Sequence, residues 1–258
     1  MAIKTRFLNV LRPLQLIWLS IQFHYAAFRA ALRKYGLTAL AHPRQIRDAA
    51  SANLFIAISG GFIAYENTTV VQSLVSSSSG KILELGPGPG NQLQRFDQSL
   101  VTSIYGIEPN AHYASHLTSR VEKFGLQDKY KLLTCGIEDS DVLRSEGIEE
   151  GSIDTVLSIQ VLCSVNDVRC VVREIHKLLK PGGRFVFWEH IRNRDGGTAL
   201  TQACLNPAWS AFVGCHVNRD ILKDILNAGE WENPNEIEIS DEPESVLPRI
   251  WGVLRKKI

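Results

Sequence analysis

The sequence lacks a strong net charge, a closely spaced cysteine pair and a long uncharged hydrophobic run. Its 258 residues carry a formal net charge of +1, which gives no electrostatic reason for nucleic acid to be the main partner. Hydrophobic residues make up 45% of the chain and charged residues 21%, as in an ordinary globular protein. This length fits one large α/β domain with a small appendage, so we expect a globular protein that does not bind nucleic acid.

The cysteines form no C-x-x-C motif. There are five of them, at Cys135, Cys163, Cys170, Cys204 and Cys215. The odd count and wide spacing argue against a disulfide framework and against a zinc site, and favour reduced thiols in an intracellular compartment. We therefore predict no metal, and we expect Cys163 and Cys215 to be small buried hydrophobic residues.

The N-terminal residues 7–32 are apolar but interrupted. The uncharged run over residues 13–22 is shorter than the roughly 20 apolar residues that a membrane-spanning helix needs, and no small-residue cleavage site follows it. Three interpretations stay open: a helix on a membrane surface, where Lys4, Arg6 and Arg12 would suit anionic lipid, a lid over a pocket, or a helix packed on its own domain. The predicted location is the cytoplasm, with peripheral contact to an intracellular membrane through residues 7–32 as the open alternative.

From Lys81 onward, short apolar runs alternate with amphipathic stretches. The apolar runs predict strands over residues 81–85, 103–107, 130–134, 154–159 and 184–189. Helices are predicted over residues 110–124 and 167–179, the second ended by Pro181-Gly182-Gly183 because proline cannot continue the helix and glycine supplies the turn. Repeated strand–helix–strand units imply a parallel sheet covered by helices on both faces.

The two ends of the chain depart from this rhythm. Residues 218–228 predict a helix capped by Asn218, and strands follow over residues 236–240 and 249–255. The short acidic loop between those strands favours an antiparallel connection. Residues 1–75 look helical and are predicted to form a cap, with the serine run at residues 76–79 as a hinge before the sheet domain of residues 76–258.

The stretch ILELGPGPGN, residues 82–91, occupies the turn after the first predicted strand. In a doubly wound sheet the ligand crevice lies at the carboxyl ends of the strands. The dinucleotide fingerprint G-x-G-x-x-G holds pyrophosphate with backbone N–H groups, but here Pro87 and Pro89 supply none. Glu84 adds negative charge next to Gly86, Gly88 and Gly90, so the loop suits a cationic group attached to adenosine, and S-adenosylmethionine fits that description.

Residues after the next three strands support the same ligand. Glu108 follows the second strand, where a carboxylate can accept hydrogen bonds from a ribose diol; the alternative is an acid that stabilises a helix N-terminus. Gly136-Ile137-Glu138 follows the third strand and suits an adenine edge, with Ile137 on the ring. The backbone at Gln160 and Val161, after the fourth strand, would face the methionine part and the reacting methyl.

These residues together resemble the class I S-adenosylmethionine-dependent methyltransferases. The resemblance rests on the Glu84-to-Gly90 loop, Glu108, Gly136-Ile137-Glu138 and the Lys180-Pro181-Gly182-Gly183 turn, and it covers the chain from about Lys81 to the end. It implies a doubly wound, Rossmann-like methyltransferase sheet of the α/β class with an antiparallel last strand. It also implies that Gly86, Gly88 and Gly90 line the methionine end of the cofactor.

A narrower resemblance lies in the second half of the chain. The segments Val161-Leu162-Cys163-Ser164-Val165, Trp188-Glu189-His190, Asn206-Pro207-Ala208-Trp209 and Gly214-Cys215 are similar to the membrane-associated alkyl thiol methyltransferase-like family. In that family small apolar thiols accept the methyl group. The resemblance therefore implies a small apolar acceptor, with a thiol preferred; oxygen, nitrogen or carbon methylation and a non-methylating binding protein are the alternatives. Oligomeric state is left open.

A thiol acceptor must lose its proton before it attacks the methyl group, which a nearby base can promote. His190 follows the fifth predicted strand on the cofactor side and is the predicted base. Glu189 could orient it, although adjacent strand residues point to opposite faces. A structural hydrogen bond is the alternative role for His190, and His216 is a weaker candidate. Trp209 and Phe212 belong either to the core or to the acceptor pocket wall.

Overall fold

The computed structural model describes residues 2–258, with side chains described from residue 11 onward. The side chains of residues 2–10, including those of Lys4 and Arg6, therefore lie outside the described part. The α-helices are α1 Ala2–Tyr35, α2 Pro43–Glu66, α3 Val71–Ser76, α4 Ala114–Lys123, α5 Ser140–Ser145, α6 Val168–Leu178, α7 Gly196–Phe212 and α8 Ile221–Leu226. The strands are β1 Gly80–Leu85, β2 Val101–Ile107, β3 Tyr130–Leu133, β4 Ile153–Ile159, β5 Leu179–His190, β6 Glu238–Ile239 and β7 Arg249–Arg255.

The strands form a seven-stranded sheet in the order β3-β2-β1-β4-β5-β7-β6. Strands β1 to β5 are parallel, and β7 runs antiparallel to both β5 and β6. Because successive strand residues point to opposite faces of a sheet, Ile82 packs in the hydrophobic cluster on one face and Leu83 in the cluster on the other. The doubly wound α/β prediction with an antiparallel last strand is confirmed, and the strand order reverses between β1 and β4, where a ligand crevice is expected.

The predicted serine hinge is wrong. Ser78 is fully buried, and Arg184 donates hydrogen bonds to the Ser77 carbonyl and the Ser79 hydroxyl at 2.8 and 2.7 Å. Helix α3, just before the serines, packs Val71 and Val75 into the core beneath the sheet. The packed core of the sheet domain therefore begins before residue 76, because an amphipathic helix with one apolar face is buried there.

Two other predicted element boundaries differ from the structure. Asp220, and not Asn218, caps α8 by accepting a hydrogen bond from Lys223 N, so the helix starts later than predicted. Helix α6 ends at Leu178, before Pro181-Gly182-Gly183 as predicted, but strand β5 starts at Leu179 and not at residue 184, so it includes these three residues. It can do so because Gly182 N donates to Lys256 O and Lys256 N donates to Gly183 O, both at 2.9 Å.

Helix α2 lies across the carboxyl ends of the parallel strands. Ser59 donates to Asn91 Oδ1 in the loop after β1 at 2.5 Å, and Asn110 after β2 donates to Asp48 O at 2.8 Å. These contacts place α2 over the edge of the sheet where the ligand crevice is expected.

Helix α1 packs against α2 and α7. Ile17 lies in a small hydrophobic cluster with Trp209 and Val213, and the Ser20 hydroxyl donates to Phe212 O at 2.5 Å. Of the three interpretations of residues 7–32, the structure therefore shows a helix packed on the rest of the protein, for the residues whose side chains are described. Among the described residues, no helix combines the length and the apolar character needed to cross a bilayer.

Candidate functional site: a cofactor edge and a Cys-His-Cys cluster

The loop at residues 86–90 offers no free backbone donor. Gly86 N donates to Ile107 O at 2.9 Å and Gly90 N to Pro87 O at 2.8 Å, Gly88 N donates to Glu108 Oε2 at 3.0 Å, and the two prolines between the glycines have no N–H. Such a loop cannot cradle a pyrophosphate as a glycine-rich phosphate loop does. A ligand without negative charge can still approach the loop closely.

Gly86 packs directly against the loop after β4. Its φ is +50°, and a Cβ there would lie 2.9 Å from Val161 Cγ1. Only glycine accepts both the left-handed backbone and that approach without strain. The sequence-predicted residues of the first and fourth strand ends therefore meet in the structure.

Glu84 is buried within the sheet beneath this loop. Its Oε2 accepts a hydrogen bond from the Tyr130 hydroxyl at 2.8 Å, across Gly106, where a Cβ would lie 2.1 Å from that hydroxyl. Its Oε1 is buried without a hydrogen-bond partner among the described residues. Burial raises the pKa of Glu84 to about 7, Glu108 adds to the rise, and the Tyr130 hydrogen bond opposes it. An orphaned carboxylate oxygen of this kind is compatible with a cationic ligand.

The raised pKa of Glu84 predicts a pH-dependent stability of the ligand-free protein. A carboxyl whose folded pKa of about 7 exceeds its unfolded value favours the folded state at low pH, and this stabilisation is lost as pH rises from about 4.5 to 7. Glu84→Gln cannot ionise. We expect its free energy of unfolding to rise relative to wild type by roughly 1–3 kcal/mol between pH 5 and pH 8, levelling off above pH 7.

Urea denaturation at pH 5, 6, 7 and 8 checks this difference. Burial also raises the pKa of Glu189 to about 7. Glu189 is present in both proteins, so its contribution cancels when the unfolding free energy of the variant is subtracted from that of wild type. Asp97→Asn, at an exposed position, is the matched control and should show no such trend. Parallel curves for wild type and Glu84→Gln would contradict the prediction.

Glu108 lies directly after β2 with both carboxylate oxygens engaged. Oε2 accepts from Gly88 N at 3.0 Å and Oε1 from Asn110 N at 2.9 Å. Burial raises its pKa, and the hydrogen bonds from Asn110 and Gly88 oppose the rise. Since each oxygen keeps a second lone pair, the carboxylate can accept further hydrogen bonds from a ligand diol.

The turn after β3 holds Gly136, Ile137 and Glu138, which the sequence predicted at the adenine. Glu138 is exposed at the same edge of the sheet, and Gly136 is confined, since a Cβ there would lie 2.6 Å from Glu138 Oε2. Ile137, predicted to stack on an adenine ring, is buried in the sheet core at 5% exposure. Its side chain lies there because the chain turns into α5 at once, with Asp139 before the helix accepting from Gly136 N at 2.7 Å.

Gln160 has a strained backbone at the end of β4. Its φ of +61° is the only positive value outside glycine in the described part of the chain. Such strain persists only where the surroundings hold it, and it concentrates at functional sites. Gln160 N donates to Trp188 O at 2.9 Å, and Val161 N donates to Glu189 Oε1 at 2.9 Å.

A buried ion pair that sequence reasoning missed joins the cap to this edge. Arg95 Nη1 lies 2.8 Å from Glu66 Oε2, with both side chains at 2% exposure or less. Glu66 Oε1 also accepts from Gln160 Nε2 at 3.1 Å. The only signal in the sequence is an acid at the end of an apolar helix, which cannot be told from a surface residue without the partner.

Glu189 does not orient His190. Its Oε1 accepts from the Ser158 hydroxyl at 2.7 Å and from Val161 N, because successive residues of β5 point to opposite faces. The suggested Glu189–His190 contact is thus corrected: Glu189 holds the loop after β4. His190 Nε2 instead lies 3.7 Å from Cys215 Sγ.

The structure gathers Cys163, His190 and Cys215 at the ends of β4 and β5. One ligand atom from each lies within 4.8 Å of the others. The pKa of Cys215 is well below its usual value because Cys163 hydrogen-bonds to its sulfur, with further contributions from His190 and the Trp209 N–H. The pKa of Cys163 is raised, by the same bond and by burial. Cys215 is therefore the better thiolate, so the expectation that both cysteines serve as inert packing is incomplete.

Comparisons with known proteins agree with this geometry. Residues 83–187 match the methyltransferase domain family. The chain is 30% identical over 180 residues to thiol S-methyltransferase TMT1A of Homo sapiens, a match that covers 67% of this chain and 70% of that protein. The chain belongs to the thiol S-methyltransferase family of class I S-adenosylmethionine-dependent methyltransferases.

A second relative and a solved structure are also similar to this chain. Thiol S-methyltransferase TMT1B of Rattus norvegicus is 33% identical over 168 residues, covering 62% of this chain and 66% of the relative. The chain thus spans about two thirds of the length of that relative. A solved O-methyltransferase family protein from Burkholderia thailandensis superposes with a TM-score of 0.59 at 14% identity over 96% of this chain and 71% of its own, which supports the methyltransferase fold.

Proposed function

We propose that the protein transfers the methyl group of S-adenosylmethionine to the sulfur of a small, fairly apolar thiol. The assignment of the cofactor rests on the loop at residues 86–90, whose backbone N–H groups all donate within the protein. Beneath this loop, one carboxylate oxygen of Glu84 has no hydrogen-bond partner among the described residues. A phosphate ligand would find no donors there, whereas a cationic ligand gains from the acid.

The cofactor residues have distinct proposed roles. Gly86, Gly88 and Gly90 line the methionine end, and Glu108 accepts hydrogen bonds from the ribose hydroxyls. Gly136 and Glu138 border the adenine, with Glu138 at its polar edge, and Ile137 contributes its backbone, because its side chain lies in the core. The backbone at Gln160 and Val161 faces the reacting centre, with Glu66 holding the Gln160 side chain and Glu189 the Val161 N–H. Glu84 contributes its negative charge.

The acceptor would enter beside β5 and α7. When bound, S-adenosylmethionine supplies a methyl group on a sulfonium, so the protein needs mainly to position the acceptor and promote its deprotonation. His190 and the thiols beside it lie in this region, next to the apolar cluster of Trp209 and Val213. We propose that His190 promotes deprotonation of the acceptor thiol. The family membership favours a thiol over other acceptors.

Product mass after incubation with isotope-labelled S-adenosylmethionine tests the proposed function. A panel of alkyl thiols, phenols and amines of matched size should yield labelled thioethers, with phenols and amines much slower. Methylation of oxygen or nitrogen but never of sulfur would exclude the thiol assignment. Failure to bind S-adenosylhomocysteine in calorimetry would exclude the cofactor, and with it the whole proposal.

Peripheral membrane contact through residues 7–32 is a second part of this proposal. Leu14, Trp18 and Tyr25 share one face of α1 and are 46%, 64% and 61% exposed. The chain holds eight lysines and arginines and no acid before Asp48. An exposed apolar face within a purely cationic segment suits the surface of an anionic bilayer, which would also concentrate apolar acceptors.

We expect Leu14→Ser/Trp18→Ser to lower binding to vesicles of phosphatidylcholine and phosphatidylserine at least tenfold, since each lost apolar side chain removes roughly 1–2 kcal/mol. Co-sedimentation with these vesicles and with pure phosphatidylcholine measures the partition. The control variant Leu100→Ser/Leu226→Ser removes two exposed leucines from other surfaces and should bind as wild type does. Equal binding of both variants would argue against contact through α1.

A further inference from the structure

Three side chains distant in the sequence form one compact cluster of nitrogen and sulfur atoms. Cys163 follows β4, His190 ends β5, and Cys215 lies in the turn after α7. Their ligand atoms lie within 4.8 Å of one another. Two thiols and an imidazole at this separation can bind a metal ion together.

The backbone holds the two cysteines side by side. His216 N donates to Cys163 O at 2.9 Å, which fixes the turn at Gly214-Cys215 against the loop after β4. Trp209 Nε1 donates to Cys215 Sγ at 3.0 Å, as outer groups do around metal thiolates. The fold therefore brings the backbone of the two cysteines together, and the Trp209 N–H fixes the Cys215 sulfur.

The ring nitrogens of His190 make few hydrogen bonds within the protein. The residue is 3% exposed, and its Nδ1 is buried without a hydrogen-bond partner among the described residues. Its Nε2 has only the long contact to Cys215 Sγ at 3.7 Å. Buried polar atoms are nearly always paired, so a ring left in this state points to a ligand.

We infer that Cys163, His190 and Cys215 bind a zinc ion whose fourth position is open to the acceptor thiol. Tetrahedral zinc, with Zn–S of about 2.3 Å and Zn–N of about 2.0 Å, holds its ligands about 3.5–3.8 Å apart, so a small contraction of the cluster suffices. Three protein ligands of the Cys₂His type with one open position are the pattern of catalytic zinc. This inference departs from the prediction of no metal, which rested on cysteine spacing along the chain.

The zinc ion would serve the proposed function, on which this inference rests. A thiol that coordinates zinc loses its proton to solvent. The bound sulfur then forms a carbon–sulfur bond to the methyl group as the bond from that carbon to the cofactor sulfonium breaks, which yields a thioether and S-adenosylhomocysteine. His190 thus promotes deprotonation as a ligand of the metal. The resulting preference would be for soft sulfur acceptors over phenols and amines.

Cationic groups around the cluster fit its charge when loaded. Zinc with two protein thiolates and a substrate thiolate carries a net charge of −1. Arg249, paired with His190 across β5 and β7, is 7% exposed. Its guanidinium lies over the Trp188 ring at 4.4 Å, and its Nε and Nη1 lack hydrogen-bond partners among the described residues. Arg219 donates to the carbonyls of Leu162 and Val165 on either side of Cys163. Both guanidinium groups would stabilise the anionic complex.

The test loads the full chain with Co²⁺ in place of zinc, under a phosphine reductant so that no small thiol competes. Wild type as purified is expected to contain about one zinc per chain by elemental analysis. After zinc is removed with a chelator, it should bind one Co²⁺ per chain with thiolate-to-cobalt absorption bands. Cys215→Ser should lose the bands and at least 90% of the bound metal. The control variants Cys135→Ser and Cys204→Ser, outside the cluster, should behave as wild type.

Addition of butanethiol with S-adenosylhomocysteine should shift the cobalt bands, whereas butanol should not. The inference is overturned if wild type binds no stoichiometric metal, or if binding survives Cys163→Ser and Cys215→Ser unchanged. It is also overturned if chelator-stripped wild type methylates thiols at full rate, an outcome that leaves the proposed function intact. Failure of wild type to bind S-adenosylhomocysteine would instead remove the proposed function first.

Discussion

Glu108→Gln is expected to weaken binding of S-adenosylhomocysteine by about 10- to 100-fold. Hydrogen bonds to a charged group contribute about 1.5–3 kcal/mol, and the amide loses the charge that would hold the ribose diol. Both oxygens of Glu108 also accept backbone N–H groups, from Gly88 and Asn110. An amide has one oxygen, so one of these donors would then face an NH₂ group.

Two comparisons separate the ribose contact from a disturbed loop. Isothermal titration calorimetry with the 2′-deoxy analogue of the ligand should show a large loss for wild type and little further loss for Glu108→Gln. Glu122→Gln removes an equal charge from an exposed position on α4 and should bind as wild type does. An affinity of Glu108→Gln within twofold of wild type would show that Glu108 serves only to cap the loop.

Arg95→Leu is expected to lower the free energy of unfolding by about 3–5 kcal/mol, because it leaves the Glu66 carboxylate charged and buried. The lost guanidinium also serves Gln92 and Asn67, at 2.6 and 2.7 Å. For a chain of this size the thermal midpoint should fall by roughly 6–20 °C. Since Glu66 also holds Gln160, cofactor affinity should fall in the folded variant as well.

Urea denaturation and differential scanning calorimetry measure the effect. Arg169→Leu breaks an exposed pair with Asp224, where the arginine side chain is 68% exposed, and should cost less than about 1 kcal/mol. The double variant Glu66→Gln/Arg95→Leu should lose less unfolding free energy than the two single variants together, because it leaves no unpaired charge buried. A loss for Arg95→Leu no larger than that for Arg169→Leu would mean that the buried pair does not hold the cap to the sheet.

Local patterns predicted the cofactor edge because that information is local. Each acid or glycine there follows directly on a strand, and parallel strands end at the same edge of the sheet. Gly86 could be recognised in this way, although its contact with Val161 could not. The errors at residues 76–79 and at Asn218 have the same origin: serine and asparagine suit a linker or a cap locally, but packing against Arg184 and capping by Asp220 decided otherwise.

The acceptor side was less predictable. His190 was singled out by its place after a strand, but its neighbours were not, because Cys163 and Cys215 are 52 residues apart in the sequence. Glu66 and Arg95 were missed for the same reason. Each of these residues looks ordinary until its partner is known.

The sequence alone is enough to predict the parallel sheet, its antiparallel last strand and the strand ends that suit a cationic adenosine cofactor, because hydrophobic periodicity and turn residues are encoded within a few positions. It did not predict helices α5 and α7. The contacts of the polar residues follow from the packing of whole elements. The packing of α7 and the turn after it places Cys215 beside Cys163 and His190. The position of α2 over the strand ends places Glu66 beside Arg95. Such meetings depend on how whole elements pack, which the local pattern around each residue does not specify.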